Sequence, residues 1–209
     1  MIEITTARLI EEIARRAGAQ SRVIVGLAGG PGSGKSTVAE LLAEALSVSA
    51  AVVPMDGFHM DNADLIARDL LDRKGAPETF DAASFVDLIR QLHTEADVAY
   101  PTFDRVADKT VPKGGMVAAS TRVVLVEGNY LLLDQAPWSE LADLFDLTVT
   151  LAVPRDVLEA RLVARWLAHG LSREQAQARA LGNDLPNVDF VRDHARQADF
   201  MLRNEGQAA

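Results

Sequence analysis

The chain has 209 residues, of which 48% are hydrophobic and 24% are charged, a composition typical of one globular domain. Its formal net charge of −9 argues against a nucleic-acid-binding surface, and the lack of cysteine excludes disulfides and cysteine-based metal sites. The N-terminal segment carries Glu3, Glu11 and Glu12, and no apolar run is long enough to span a membrane. We therefore expect a cytoplasmic protein with no signal peptide and no transmembrane helix.

Helices and strands are predicted to alternate along the chain. An amphipathic helix over 4–17, ended by Gly18, comes first, and a helix over 84–92 is predicted to begin at a cap formed by Asp81 or Ser84. Further helices are predicted over 35–46, 63–73, 137–145, 154–180, with an interruption at 170–172, and 185–197. Strands are predicted over 23–28, 51–55, 122–128, 146–153 and 198–202, with a loop or hairpin over 107–121.

This alternation, with β-branched apolar strands, predicts an α/β fold in which a parallel sheet is sandwiched by helices. The chain shows no internal repeat and no linker, so residues 1–209 are expected to form a single domain. Residues 57–121 are irregular enough to form an insertion over one end of the sheet, where an acceptor site is expected. The helix-rich and arginine-bearing residues 155–185 are expected to form a mobile lid.

A glycine-rich segment follows the strand over 23–28 and precedes a helix. It reads GGPGSGKST and fits the pattern G-x-x-x-x-G-K-[ST]. Glycines allow backbone N–H groups to converge on phosphate oxygens, and the N-terminus of the helix adds partial positive charge. We expect Lys35 to contact the terminal phosphates and the Ser36 hydroxyl to ligate Mg²⁺. The predicted nucleotide-binding residues are Gly29, Gly30, Pro31, Gly32, Ser33, Gly34, Lys35, Ser36 and Thr37.

Two carboxylates stand where predicted strands end. Asp56 follows the strand over 51–55, and Glu127 lies at the end of the strand over 122–128. Because ligands bind at the carboxyl ends of parallel strands, we interpret Asp56 as a proton acceptor or a holder of Mg²⁺ through water, and Glu127 as a holder of the Mg²⁺ water shell. The alternatives are a turn-forming aspartate before Gly57 and a solvated carboxylate at a strand end.

Arginines are concentrated in one region of this acidic protein. Arg161 and Arg165 lie four residues apart, on one helix face, between Arg155 and Arg173. An arginine over the γ-phosphate would offset the charge of phosphoryl transfer. The alternative is a solvated helix face in which arginines pair with Glu159 and Glu174.

Five segments in order resemble the P-loop kinases that include phosphoribulokinase, uridine kinase and bacterial pantothenate kinase. They are GGPGSGKS, PMDGFH, RKGAPETFD, YPTFDR and VVLVEGNYLL. The likeness extends over nearly the whole chain and is greatest to bacterial proteins named as fructose transport system kinases. It implies a P-loop NTPase fold with a helical lid, and transfer of the γ-phosphate of ATP, with Mg²⁺, to a hydroxyl of a sugar, nucleoside or pantothenate-like compound.

The resemblance also implies roles for individual residues. Asp56 would be the general base, Asp81 would bind acceptor hydroxyls, and Glu127 would serve Mg²⁺. Arg165 matches the position of a lid arginine, with Arg161 one turn earlier, and Lys35 would act in catalysis beside them. Asn187 would approach the nucleotide.

The predicted acceptor site departs from the family pattern. Phe103 keeps the aromatic residue of uridine kinases, but Asp108 stands where they carry a histidine, and Arg105 stands near a histidine position of pantothenate kinases. His59 is a further candidate for substrate contact. Because an arginine is always charged and only donates hydrogen bonds, Arg105 favours an anionic or hydroxyl-rich acceptor.

The alternative function is a regulatory P-loop NTPase that has no phosphoryl acceptor. The chain has neither the N-K-x-D motif of guanine-binding proteins nor an LSGGQ-type signature, which favours the kinase. The expected partner is a small-molecule acceptor, with no nucleic acid and no membrane insertion, and a homodimer is left open.

Overall fold

Six parallel strands form the central sheet of the computed structural model, which describes residues 1–204. The strands of this part of the chain are β1 (Ile2–Ile4), β2 (Val23–Ala28), β3 (Ala50–Pro54), β4 (Val98–Asp104), β5 (Lys109–Val117), β6 (Val123–Gly128), β7 (Leu147–Ala152) and β8 (Phe200–Arg203). The order in the central sheet is β1-β8-β7-β2-β6-β3, and β4 and β5 form a separate antiparallel hairpin. The prediction of an α/β fold with a parallel sheet is confirmed.

Helices cover both faces of this sheet. They are α1 (Thr6–Ala19), α2 (Lys35–Ala45), α3 (Asn62–Ala67), α4 (Ala82–Thr94), α5 (Arg155–Ala168), α6 (Arg173–Arg179) and α7 (Leu185–His194). Short 3₁₀ turns span Met55–Phe58, Leu71–Arg73, Pro77–Thr79 and Trp138–Asp143, and a π-helical turn spans Ala180–Asp184. No helix within residues 1–204 is long and apolar enough to cross a membrane.

The apolar side chains of the central strands form two core layers. Every residue of β2 and β6 is buried, as expected for parallel strands covered on both faces. Val23, Val25 and Leu27 pack with Leu9 and Ile13 of α1. Side chains of the opposite face, Ile24, Val124 and Val126 among them, pack against α4 and Trp138. The two layers hold the central strands in place, so their carboxyl ends form a firm edge.

Three local predictions were wrong. Ile4 belongs to β1, a three-residue strand that pairs with β8, so its partner lies about 200 residues away and no local pattern marks it. Helix α1 continues through Gly18 to Ala19, because an isolated glycine only weakens a helix. The helix predicted over 63–73 ends at Ala67, and Asp69 follows in the left-handed region, with φ 56°.

The Arg22 guanidinium links several segments at the end of the sheet where β2 and β6 begin. It donates hydrogen bonds of 2.9–3.2 Å to five backbone carbonyl oxygens, those of Leu92, Glu95, Ala96, Ala118 and Thr121. All five N–H donors of a guanidinium can be satisfied by this set. Arg22 therefore ties the end of α4 and the two segments that flank the β4–β5 hairpin to the start of β2.

We predict that Arg22→Met lowers the free energy of unfolding by about 2–4 kcal/mol, because charged hydrogen bonds are lost while the apolar stem is kept. Urea denaturation measures this as a lower midpoint with an unchanged m-value. The matched control is Arg8→Met, since Arg8 is exposed and forms a surface ion pair with Glu11. A midpoint equal to that of the control would mean that water serves the five carbonyl oxygens equally well.

Candidate active site

A cleft of about 330 Å³ opens where β2, β3 and β6 end. These strands are neighbours in the sheet, in the order β2-β6-β3, and all three point the same way. The loop after β2, the turn after β3 and the end of β6 therefore meet at one edge. The opposite wall comes from the β4–β5 hairpin, α5, α6 and the π-helical turn.

The glycine-rich loop after β2 is shaped to bind an anion. Gly32 and Gly34 have φ angles of 77° and 82°, which glycine adopts without the steric cost of a Cβ atom. The first hydrogen bond of α2 runs from Val38 N to Gly34 O at 3.0 Å. The N–H groups of Lys35, Ser36 and Thr37 therefore have no intrahelical partner, and these residues line the cleft.

The Lys35 side chain is buried beside this loop, with 8% of its surface exposed. Its Nζ donates to Gly30 O at 3.1 Å and to Asn129 Oδ1 at 2.8 Å. Burial lowers the pKa of Lys35, and the negative charges of Glu127 and Asp56 oppose that shift. An ammonium group has three donors, so one of them remains for a ligand in the cleft.

Ser36 and Glu127 form a pair of oxygen donors across the strand ends. Ser36 Oγ donates to Glu127 Oε1 at 3.0 Å, and Glu127 is buried, with 6% of its surface exposed. Burial raises the pKa of Glu127, which the charge of Lys35 opposes. Hydroxyl and carboxylate oxygens are ligands that Mg²⁺ prefers, and a divalent cation here would offset the buried negative charge.

These two residues fit Mg²⁺ only together with other oxygen donors. Within residues 1–204 there is no group of three or more His, Asp or Glu side chains that could hold a metal ion alone. Because Mg²⁺ usually keeps several waters and binds substrate phosphates, phosphate and water oxygens would complete its coordination here.

Asp56 and Arg105 form an ion pair in the cleft. Asp56 lies in the 3₁₀ turn after β3, and its Oδ2 accepts a hydrogen bond from Arg105 Nη2 at 2.5 Å. Arg105 follows β4, at the tip of the hairpin. The structure thus brings together two residues that are 49 positions apart and that the sequence assigned to base and acceptor roles.

His59 belongs to an aromatic wall beside this pair. Its ring stacks on Phe80 at 4.0 Å between centroids and lies 4.9 Å from Phe103. Burial lowers the pKa of His59 to about 4, and the nearby charge of Lys74 acts in the same direction. The imidazole is therefore neutral near pH 7, so His59 offers a substrate a neutral contact.

Lys74 is a cation of the cleft that the sequence analysis missed. Its Nζ donates to Asn62 Oδ1 at 2.7 Å and to Asp108 Oδ1 at 2.8 Å, and it lies 5.1 Å from the centre of the Phe103 ring. Burial alone would raise the pKa of Asp108, but hydrogen bonds from Asn62 and Lys74 lower it overall. Asp108, noted only as a departure from uridine kinases, thus holds Lys74 in place.

The wall from α5 and α6 supplies two arginines. Arg165 lines the cleft, and burial lowers its pKa. The ring of Trp166 lies 5.5 Å from the Arg165 guanidinium and 5.3 Å from that of Arg179. Trp166 Nε1 donates to Asp184 Oδ2 at 2.6 Å, which fixes the ring. Asn187 also lines the cleft.

Several predicted site residues lie outside the cleft. Asp81 Oδ1 accepts from Ser84 N at 3.1 Å as the cap of α4, and Asp81 lines a separate cavity beside Trp138. Arg161 donates to Gly32 O at 3.4 Å and to Asn204 O at 3.1 Å, because one helical turn separates it from Arg165. Three loop residues, Gly29, Gly30 and Ser33, line a different cavity between the end of β7 and α7.

Other cleft residues gave weak signals in the sequence or none. Asn129 stands two residues after Glu127 at the same strand end, and Lys74 is part of the RKGAPETFD segment, so both could have been inferred. Arg179, Asp184 and Trp166 reach the cleft only through the packing of α5 and α6 against the π-helical turn. No local pattern marks that arrangement.

Comparisons with known proteins identify the family of the chain. The model of the phosphoribulokinase/uridine kinase family matches residues 24–207. The chain is 40% identical over 188 residues to the uncharacterized protein YggC of Escherichia coli (strain K12), covering 88% of this chain and 78% of YggC. It is 38% identical over 197 residues to a protein of Schizosaccharomyces pombe named "Putative uridine kinase C227.14", covering 88% of this chain and 84% of that protein.

A solved structure extends the comparison to three dimensions. The crystal structure of a "putative fructose transport system kinase" from Silicibacter sp. TM1040 superposes with a TM-score of 0.91 and is 46% identical in sequence. The match covers 95% of this chain and 98% of that chain. The resemblance inferred from the sequence is confirmed. The chain belongs to the phosphoribulokinase/uridine kinase family, whose members use ATP with Mg²⁺.

Proposed function

We propose that this protein is an ATP-dependent kinase that phosphorylates a hydroxyl group of a small molecule such as a sugar, a nucleoside or a pantothenate-like compound. The supporting observation is that a single cleft is lined both by the phosphate-binding loop and by Asp56. Its volume of about 330 Å³ lies at the lower end of the range for small-ligand sites. Polar and aromatic side chains beyond Asp56 give the acceptor a wall of its own.

Asp56 takes the proton of the acceptor hydroxyl while the hydroxyl oxygen forms a bond to the γ-phosphorus. The bond from the γ-phosphorus to the bridging oxygen breaks, ADP leaves, and the proton is later released to solvent. Lys35 and the loop N–H groups hold the phosphates, and Arg165 offsets the charge that develops during transfer. Ser36 and Glu127 would hold Mg²⁺, which would supply further positive charge beside the phosphates.

We extend the proposal to two segments of a single domain over residues 1–209. Residues 57–121 form the acceptor side, since His59, Phe103 and Arg105 contribute to the cleft. Residues 155–185 act as a lid, since Arg165 and Arg179 reach the cleft from helices rather than from strand ends. Closure of this lid would exclude water from the transfer.

We predict that Asp56→Asn keeps ATP affinity within about threefold but lowers turnover by about 10²–10⁴-fold, because the amide cannot accept the hydroxyl proton. Coupled ADP release against sugars, sugar phosphates, nucleosides, pantothenate and glycerate measures turnover, and a nucleotide titration measures affinity. The matched control is Asp87→Asn, since Asp87 pairs with Arg90 on the exposed side of α4.

Near-wild-type turnover of Asp56→Asn would remove Asp56 as the base. If no acceptor stimulates ADP release by the wild type and slow hydrolysis survives in the variant, the regulatory NTPase becomes the better assignment. Acceptor-stimulated release in the wild type alone supports the kinase and identifies the acceptor.

We predict that Arg165→Ala lowers kcat by about 10²-fold or more while ATP affinity changes little, because the guanidinium offsets charge that appears only during transfer. The control is Arg155→Ala on the same helix, since Arg155 pairs with Asp189 outside the cleft. A loss of ATP affinity with unchanged kcat would instead assign Arg165 to ground-state binding.

A further inference from the structure

The ion pair between Asp56 and Arg105 leaves most of the guanidinium unused. Arg105 Nη2 donates to Asp56 Oδ2, the one hydrogen bond of this side chain among residues 1–204, and a guanidinium has five N–H donors. About half of the Arg105 side chain is exposed, 52%, against 29% for Asp56. Since both residues line the cleft, the unused donors are accessible to a ligand there.

Lys74, the other cation of this wall, already uses its donors in contacts with neighbouring residues. Its Nζ donates to Asn62 Oδ1 and to both the carboxylate and, at 3.5 Å, the backbone oxygen of Asp108, and only 13% of its side chain is exposed. Arg105 is therefore the cation on the acceptor side that has donors to give to a new partner.

The proposed reaction would unbalance the charges of this wall. Before transfer, Arg105 and Lys74 are matched by Asp56 and Asp108, and His59 is neutral. When Asp56 takes the proton of the acceptor it becomes neutral, and Arg105 loses its counter-charge. A negatively charged group on the acceptor would replace that counter-charge beside Arg105, so the geometry favours an acceptor that brings one.

We propose that the acceptor carries a carboxylate or phosphate group that takes Arg105 away from Asp56. The planar guanidinium binds such a group through two parallel hydrogen bonds, which a single contact to Asp56 does not provide. This exchange frees the Asp56 carboxylate for the hydroxyl, and keeps Arg105 paired throughout the transfer. The inference rests on the proposed kinase function and narrows its substrate class.

The direct contact between the two side chains also limits the shape of the acceptor. Asp56 must meet the reacting hydroxyl while Arg105 meets the anionic group, so hydroxyl and anion lie close together in the bound acceptor. Without an acceptor, Arg105 keeps Asp56 occupied, which holds acceptor-independent ATP hydrolysis low.

The test compares acceptors that differ in one anionic group: glycerate with glycerol, fructose 1-phosphate with fructose, and ribose 5-phosphate with ribose. Wild type, Arg105→Gln and Arg105→Lys are assayed by coupled ADP release with Mg-ATP. The control is Arg90→Gln, because Arg90 forms a similarly exposed ion pair with Glu140 outside the cleft.

We expect the anionic member of at least one pair to exceed its neutral counterpart by tenfold or more in kcat/KM with the wild type. Arg105→Gln should lose about 100-fold on that acceptor, mainly through KM, while the neutral counterpart changes less than threefold. Arg105→Lys keeps the charge but not the planar guanidinium, so its kcat/KM on the anionic acceptor should lie between those of the wild type and Arg105→Gln. Acceptor-free hydrolysis should rise severalfold in Arg105→Gln, and adding Asp56→Asn should abolish that rise.

The outcomes separate this inference from the function on which it rests. If neutral acceptors are phosphorylated as well as anionic ones, the kinase assignment holds and the inference fails. Equal losses of Arg105→Gln on both members of a pair, with no rise in hydrolysis, would also overturn it. If no acceptor of either kind stimulates ADP release by the wild type, the kinase function fails and this inference falls with it.

Discussion

The buried ammonium group of Lys35 is the interaction on which the candidate site depends. A lysine taken out of water without partners would lose its proton, so its surroundings must supply acceptors and negative charge. Gly30 and Asn129 supply the acceptors, and Glu127 supplies the charge. These groups come from the ends of β2 and β6. The parallel pairing of those two strands is therefore a condition for a charged Lys35 at the phosphate-binding loop.

The charge balance extends from Lys35 across the cleft. Glu127 faces Lys35 on the nucleotide side, and Asp56 contributes to the field at Lys35 while it pairs with Arg105 on the acceptor side. Each substrate therefore enters a site whose charges are already matched. Nucleotide phosphates add negative charge that a divalent cation and Arg165 would offset, and a proton taken up by Asp56 would release Arg105. Binding and proton transfer on one side would thus change the electrostatics on the other.

Most of the cleft at the sheet edge could be predicted from the sequence, because each of its parts is marked by a local pattern. The glycine-rich loop is a contiguous motif. Asp56 and Glu127 each come directly after an apolar run that predicts a strand. The acceptor and lid sides could not be predicted to the same extent. Lys74 and Asp108 meet across 34 residues, Arg161 differs from Arg165 by a single helical turn, and α4 uses Asp81 as its cap. These outcomes depend on tertiary packing, which no short pattern encodes.

The position of Arg105 beside Asp56 is a consequence of how the hairpin is anchored. Tyr100 of β4 donates its hydroxyl to Val52 O in β3 at 3.0 Å, and Thr110 of β5 donates to His59 O at 3.0 Å. These bonds tie the hairpin to the strand before Asp56 and to the residue just beyond its turn. Arg105 lies between the two anchors along the chain, so its reach to Asp56 is set by backbone placement. The sheet edge therefore fixes the phosphate-binding side, and the hairpin determines which groups an acceptor would meet.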